Sequence, residues 1–294
     1  MSRHSPLFAA LLLSAGMIAA GSVVVAAKLT ALALPPFTAA ALRYALAAAI
    51  LLPWAWRRHG IPRLDRHDAV ILLCQAALGS LGFSVLLLLG LRHGDAASAS
   101  VAAGTLPLLV LAGSCLGQRR LPTPRLALAS ALAGLGVVAA SHGGPVDPLI
   151  FAAIACEAAF VSLDRLMRQP PPPLTLSALL CLGGLLLTLP AALAEAWTPQ
   201  SWPLSAWLAL SWHGLVGTVL GFLCWYGGTA RLGAGRAAPF TALFPITGIA
   251  AAPLVLDSPF ALTTGLGGGL VVAGILLAAW PSKSTAVAPA AESV

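Results

Sequence analysis

The chain has 294 residues, of which 59% are hydrophobic and only 9% are charged, and its mean hydropathy is +0.93. A soluble globular domain carries about 25% charged residues, so this composition excludes that class. The formal net charge of +7 is spread over short connections between apolar runs, and this distribution argues against a nucleic-acid partner.

The first apolar run follows Arg3 and His4 and imitates the hydrophobic region of a signal peptide. Because many further runs follow it, we interpret it as the first retained membrane helix. Ten runs of about 18 to 25 residues can be placed along the chain, and each is long enough to cross ~30 Å of hydrocarbon. The sequence therefore predicts an all-α polytopic membrane protein with ten transmembrane helices.

Matched residues recur at a nearly constant offset between the two halves of the chain. The offset is 137 to 139 residues for Pro53 with Pro190, Gly82 with Gly221, Arg92 with Arg231, Pro107 with Pro245, and Gly136 with Gly274. Each copy would hold five helices, and an odd number forces the copies into opposite orientations. Inverted repeats around a central cavity are typical of secondary transporters. We place the first repeat at residues 1–141, the second at 149–280, and a disordered cytoplasmic tail at 281–294.

The positions of Lys and Arg predict the orientation in the membrane. Nearly all of them fall at the termini or in the connections after even-numbered helices, while Lys28 and Arg92 border the other side. By the positive-inside rule, both termini are cytoplasmic.

Three ionisable side chains lie deep within predicted helices. Arg43, beside Tyr44 in the second helix, could meet a substrate carboxylate through a bidentate contact, snorkel outward, or cap a neighbouring helix. Glu157 lies ~12 Å into the sixth helix, near the midplane, and His213 lies at a similar depth in the eighth. We interpret Glu157 as a binder of a substrate ammonium group or as a proton-coupling site, with His213 tuning its pKa. The alternative is a buried structural hydrogen bond between two helices.

Aromatic and proline residues add further candidates. Phe83 in the third helix and Trp225 and Tyr226 in the eighth could stack on a flat substrate, although core packing explains them equally well. Pro107 and Pro245 are matched in the middle of the fourth and ninth helices. Because proline removes a backbone hydrogen bond and kinks a helix, we interpret the pair as gates or hinges at the cavity. The alternative is a fixed bend whose freed carbonyl is satisfied by neighbours.

Other classes of function are disfavoured. The five cysteines are isolated within apolar runs, so the sequence predicts no metal site, and it predicts no cofactor. A membrane enzyme would need a nucleophile–base pair or a metal cluster at one depth, and the nearest candidates, Ser162 and His213, form no recognised arrangement. A structural or assembly protein has little reason to keep Glu157 and Arg43 inside the membrane.

Several segments resemble the EamA-type domain of the drug/metabolite transporter superfamily. They are Gly21–Ser22 followed by Lys28, Leu34–Pro35–Pro36, Ala41–Leu42–Arg43–Tyr44, Gly82–Phe83 through Arg92, the Pro107 helix, and Gly134–Leu135–Gly136. The second half resembles the domain again from about Leu149 to Trp280. One departure is Leu180, which stands where the first half has Arg43.

The resemblance implies a ten-span exporter of the bacterial inner membrane for amino acids and related metabolites. The midplane aromatics make the chain most similar to YddG-type aromatic amino acid exporters. We expect export by alternating access, with a small-molecule substrate and membrane lipid as partners; the sequence leaves proton coupling and oligomeric state open. The alternative is an efflux carrier for hydrophobic or cationic drugs, which would not need Arg43.

Overall fold

The computed structural model describes residues 6–117, 121, 123–140, 147–196, 198–233, 237–257 and 261–279. Every regular element in these ranges is helical, which confirms the predicted fold class. The helices are α1 (Pro6–Ala33), α2 (Pro36–His59), α3 (Arg66–His93), α4a (Ala96–Ala103), α4b (Leu106–Gly117), α5 (Pro124–Ala140), α6 (Pro148–Leu163), α7 (Pro173–Ala194), α8 (Leu204–Leu232), α9 (Leu243–Leu256) and α10 (Leu262–Ala279). The expected tail at 281–294 lies outside the described residues.

The lengths of these helices fit a membrane. Seven helices of the described part are long and apolar enough to cross a bilayer: α1, α2, α3, α7, α8, α10, and α9 with its 3₁₀ lead-in from Pro239. The remaining helices are shorter: α4, which consists of α4a and α4b, and α5 and α6. A 17-residue helix such as α5 is still about 25 Å long, because each residue adds 1.5 Å.

Most of the large helix contacts join one repeat to the other. The second helices of the two repeats, α2 and α7, pack against each other, and so do the fifth helices, α5 and α10. The first helix of each repeat packs into the other repeat, with α1 against α8 and α9, and α6 against α3 and α4. The two repeats are therefore interlocked rather than side by side, and α1 and α6 are shared walls of the centre.

Small residues allow the closest of these approaches, between α5 and α10. A Cβ on Gly136 would lie 2.5 Å from the carbonyl oxygen of Gly267, and a Cβ on Gly274 would lie 2.7 Å from that of Ala129. Gly134, on another face of α5, has open space around it. Glycine at the contact lets two membrane helices approach closely, as expected where lipid supplies no hydrophobic force between helices.

Two π-helical segments, which were not predicted, interrupt α3 and α8. Residues Ala76–Phe83 in α3 and His213–Leu220 in α8 have eight residues each, and the two segments start 137 residues apart. A π turn is wider than an α turn and is frequently found at functional sites. Both segments lie in the middle of their helices, and each contributes residues to the centre of the fold.

The two cations that depart from the basic pattern, Lys28 and Arg92, have structural partners. The Lys28 ammonium donates to the Leu91 carbonyl at 2.6 Å, at the end of α3. In return, Arg92 donates to the carbonyls of Ala31 at 3.2 Å and Leu34 at 3.1 Å, at the end of α1. A cation at a helix C-terminus satisfies free carbonyls and complements the helix dipole. The two side chains therefore fasten α1 to α3.

Side-chain hydrogen bonds join α2 to α7 or its flanking residues at both ends of the pair. The Glu195 carboxylate accepts hydrogen bonds from the backbone N–H of Phe37 at 3.2 Å and of Thr38 at 2.7 Å, at the start of α2. At the other end, His59 Nδ1 is 3.0 Å from the Thr175 hydroxyl at the start of α7. Since Pro35 provides no side-chain cap for α2, Glu195 supplies the missing acceptor from the opposite repeat.

Candidate functional site

A cavity of about 140 Å³ lies at the centre, between the two repeats. Its polar lining is Arg43, Tyr44, Ser80, Glu157, His213 and Thr218, and its aromatic lining is Phe83, Phe160, Phe222 and Phe244. Aliphatic side chains and glycines of α1, α3 and α8 complete the walls. The cavity is therefore mostly apolar with a few polar groups, which is the usual composition of a small-molecule site. Five of the predicted substrate-binding residues meet here: Arg43, Tyr44, Phe83, Glu157 and His213.

The Arg43 guanidinium is the centre of a polar cluster on one wall. Arg43 is buried, and it donates to His213 Nε2, to the Tyr44 hydroxyl, and to Ser84 Oγ at 2.5 Å. The Tyr44 and Ser84 hydroxyls are 2.8 Å apart, and the guanidinium carbon is 4.2 Å from the centre of the Tyr44 ring. The Nε atom of Arg43 is buried without a partner. The cluster joins α2, α3 and α8, and it fixes the guanidinium at the cavity rather than letting it snorkel.

The contact with Arg43 fixes the role of His213. An arginine side chain can only donate hydrogen bonds, so His213 Nε2 must accept and its proton must lie on Nδ1. His213 thus serves as a neutral partner of Arg43. No hydrogen bond joins His213 to Glu157 among the described residues, so the expected pairing of these two side chains is not formed in this conformation.

Glu157 lies on the same cavity from α6 and is half-buried. No described residue forms a hydrogen bond or an ion pair with its carboxylate, although Arg43 lines the same space. A carboxylate inside a membrane protein is costly unless something compensates its charge. The cavity therefore holds one acidic and one basic group that form no ion pair with each other.

Glycines in the two π segments bring α1 and α6 against the cavity. A Cβ on Gly79 would lie 2.5 Å from the Phe160 ring, and a Cβ on Gly217 would clash with Val23. The two pairs correspond between the repeats, because Gly79 and Gly217 are 138 residues apart and Val23 and Phe160 are 137 apart. At these two equivalent positions, α1 therefore carries the smaller Val23 and α6 carries the large ring of Phe160.

Trp225 and Tyr226 do not line the cavity. Tyr226 lies farther along α8, where it makes an edge contact with Phe222 at 5.9 Å and packs beside Leu176 and Leu180. Trp225 is half-buried, and its backbone lies against Gly16 of α1. Both aromatics belong to the packing around the site in this conformation.

Pro107 and Pro245 are also absent from the lining, and their local setting differs from the expected helix interior. Pro107 is the second residue of α4b, after a break at Gly104–Thr105, and Pro245 is the third residue of α9, after a 3₁₀ turn. In the first turn of a helix, the N–H that proline lacks has no intrahelical partner anyway. The matched feature is therefore the interruption before each proline. Their role as hinges stays a prediction.

Several lining residues were missed by the sequence analysis. Three of them are Phe160, Phe222 and Phe244. Each is an ordinary apolar residue of a membrane helix, so the sequence could not show that it faces the cavity. The Ser80 hydroxyl of the lining and the Ser84 hydroxyl of the Arg43 cluster carried one usable signal, since a spacing of four residues places both on one face of a helix.

The ionisable groups of the site have no counterparts in the other repeat, although the Ser80 and Thr218 hydroxyls are matched at an offset of 138 residues. A shift of 137 residues relates Arg43 to Leu180, Glu157 to Ala20, and His213 to Ala76. Leu180 and Ala76 are buried and apolar, and Ala20 lines the cavity without a polar group. The scaffold is symmetric while the charges are not, so a bound molecule would have a single orientation.

One group of possible metal ligands occurs in the described part, far from the cavity lining. Asp65, His67 and Asp68 lie together at the start of α3. Asp65 accepts from the Asp68 N–H at 2.7 Å, and Asp68 accepts from the N–H groups of Arg168 and Gln169 at 2.9 Å. These carboxylates thus cap α3 and tie it to the α6–α7 connection.

Comparison with known proteins agrees with this architecture. The chain matches the EamA-like transporter family over residues 7–141 and again over residues 145–280. It is 30% identical to "Uncharacterized transporter YetK" of Bacillus subtilis (strain 168), over 95% of this chain and 89% of that protein. It is 24% identical to "Uncharacterized transporter YyaM" of the same organism, over 86% of this chain and 87% of that protein.

A solved structure described as "Crystal structure of protein" covers 92% of this chain and 96% of its own, with a TM-score of 0.61 and 19% identity. At that identity it shows the shared fold alone. The two family matches coincide with the two interlocked sets of five helices. The chain is therefore a multi-pass membrane transporter of the EamA-like family, within the drug/metabolite transporter superfamily, and not an enzyme.

Proposed function

We propose that this transporter exports amino acids and related small metabolites across the bacterial inner membrane by alternating access. The observation that carries the proposal is the pair of unbridged charges in one cavity, Arg43 and Glu157. A zwitterion presents one carboxylate and one ammonium group, and it would neutralise both side chains at once. A neutral or singly charged cargo would leave at least one membrane-buried charge without a partner.

The geometry of the Arg43 cluster suggests how each end of the substrate is held. The substrate carboxylate would bind the Arg43 guanidinium, while the bonds to His213 and Ser84 keep the guanidinium in place. The substrate ammonium group would donate to the Glu157 carboxylate from the α6 wall. The aromatic rings would enclose the side chain of the amino acid. Glu157 is also the group that would carry a coupled proton.

The interlocked repeats supply the moving parts. Alternating access in inverted-repeat transporters is a rocking of one repeat against the other around a fixed central site. The interruptions before Pro107 and Pro245, and the two π segments, are the irregular points at which the helices would bend. The clustering of arginines in the α2–α3 and α6–α7 connections supports a cytoplasmic location for that end and for both termini.

A second candidate, efflux of hydrophobic cations, draws support from a specific part of the same cavity. Glu157 and four phenylalanines would attract a hydrophobic cation. Such a cargo would be repelled by Arg43. The two candidates therefore make opposite predictions for replacement of Arg43.

The proposal is tested by counterflow into proteoliposomes with a radiolabelled panel of aliphatic, aromatic, basic and acidic amino acids and a cationic dye. Saturable amino acid flux that other amino acids compete, and the dye does not, is the expected result. Flux of the dye alone would contradict the amino acid proposal and favour drug efflux.

A further inference from the structure

The central cavity is small for a ligand site. Its volume is about 140 Å³, whereas sites for drug-sized ligands measure roughly 300 to 1,000 Å³. A cavity of about 150 Å³ is known to accommodate benzene, a molecule of about six carbon atoms. A cargo of about six to eight non-hydrogen atoms, such as alanine, serine or threonine, fits this space. The indole and phenyl side chains expected from the resemblance would need more space than the cavity has in this conformation.

One residue stands out among the walls that limit this volume. Phe160 is buried, with 7% of its surface exposed, and its ring lies directly against Gly79 of the α3 π segment. Behind the cavity it packs with Ile71, Met167 and Leu180, so the ring cannot easily swing aside. Well-packed side chains of a core occupy fixed rotamers, and the position of the ring is therefore part of the shape of the site.

The repeat itself provides the comparison that singles out Phe160. The equivalent position in the first repeat is Val23, which lines the same cavity and faces Gly217 as Phe160 faces Gly79. The scaffold therefore accepts a much smaller residue at this point of the packing. The larger ring on the α6 wall removes space that the symmetric arrangement would leave open, and it does so beside Glu157, three residues earlier on the same helix.

We propose that Phe160 is a specificity-determining residue that restricts the cargo to small amino acids. The proposal rests on the amino acid function above and adds the size class to it. Replacement of Phe160 by Val copies the other repeat and removes about four carbon atoms, so the largest accepted cargo should grow by a similar number of atoms.

The test is a size series in counterflow: alanine, serine, threonine, valine, leucine, phenylalanine and tryptophan, carried by the wild type, Phe160→Val and Phe160→Leu. In the wild type, we expect phenylalanine flux to be at least about tenfold below alanine flux, since even one misfitting methylene changes the specificity ratio by about 10- to 200-fold. In Phe160→Val, we expect the phenylalanine-to-alanine ratio to rise by about tenfold, with a smaller rise in Phe160→Leu. Phe151→Val is the matched control, because Phe151 lies on the same helix with 44% exposure and outside the cavity. Its ratio should equal that of the wild type.

Three outcomes would overturn the proposal while leaving amino acid transport intact. The first is wild-type flux of phenylalanine equal to that of alanine. The second is an unchanged ratio in Phe160→Val with alanine flux preserved. The third is loss of alanine flux in both Phe160 variants, because a wall that only limits size can be trimmed without loss of the small cargo. Absence of saturable flux for every amino acid in the wild type would instead contradict the proposed function itself.

Discussion

Replacement of Arg43 by Gln removes the charge that the proposed carboxylate contact requires. The variant keeps a polar side chain that is two bonds shorter, and the Tyr44–Ser84 contact at 2.8 Å does not depend on the guanidinium. His213 loses its donor, which leaves one buried acceptor unsatisfied at a cost of about 1–3 kcal/mol in folding free energy. We therefore expect a less stable protein that still folds and inserts.

The effect on transport follows from the contact that is lost. A hydrogen bond between charged groups contributes about 1.5–3 kcal/mol, which corresponds to a rise of about 10- to 150-fold in the KM for a zwitterionic amino acid. A substrate analogue without a carboxylate never makes this contact. Its KM should therefore change little when Arg43 is replaced.

The assay compares alanine with alaninamide in counterflow through matched proteoliposomes. The wild type should prefer alanine, and in Arg43→Gln the two KM values should become nearly equal. Arg43→Lys keeps the charge but lacks the planar fork, so it should recover only part of the preference. Arg57→Met is the control, because Arg57 is an exposed residue of the same helix.

A purely structural role for Arg43 gives a different result. In that case, flux of alanine and alaninamide would fall by the same factor, with the preference unchanged. That outcome would refute the assignment of Arg43 to the substrate carboxylate, however large the total loss.

Three further predictions test other parts of the account. Glu157→Gln should raise the KM for alanine by about 10- to 150-fold and change the pH dependence of flux; unchanged transport with an unchanged pH profile would contradict its role. Glu195→Gln should lower the free energy of unfolding by about 1 kcal/mol, measured by thermal unfolding in detergent, because the α2 N-terminus loses its charged acceptor. Gly136→Ala should destabilise the protein by about 1–3 kcal/mol, because its Cβ would lie 2.5 Å from the Gly267 oxygen, whereas Gly134→Ala meets open space and should be neutral. Equal effects of the two glycine replacements would contradict the close α5–α10 contact.

The sequence predicts the number and type of the helices because hydrophobic length is set by bilayer thickness. The repeat could be read from matched residues such as Pro53 and Pro190, both of which lie inside helices, in α2 and α7. Arg43 and Glu157 could be chosen as candidates because the sequence places each of them deep within an apolar run, and both line the same cavity.

Helix rotation and irregular turns could not be predicted. A membrane helix is apolar on all sides, so nothing in the composition tells that Phe160 faces the cavity while Trp225 and Tyr226 do not. A π segment adds a residue to a turn without changing the residue types, so Ala76–Phe83 and His213–Leu220 left no pattern. The surroundings of Pro107 and Pro245 could not be predicted either. Because the helix is interrupted just before each proline, the proline lies in a first helical turn and does not kink a helix interior.

The central claim is that one cavity recognises both charged groups of an amino acid. The most direct measurement is inhibition of alanine counterflow in the wild-type protein by alaninamide, which lacks the carboxylate, and by propionate, which lacks the ammonium group. The account predicts that each analogue inhibits at least about tenfold more weakly than alanine itself. Inhibition by either analogue as strong as that by alanine would contradict the claim that Arg43 and Glu157 hold the two ends of the substrate.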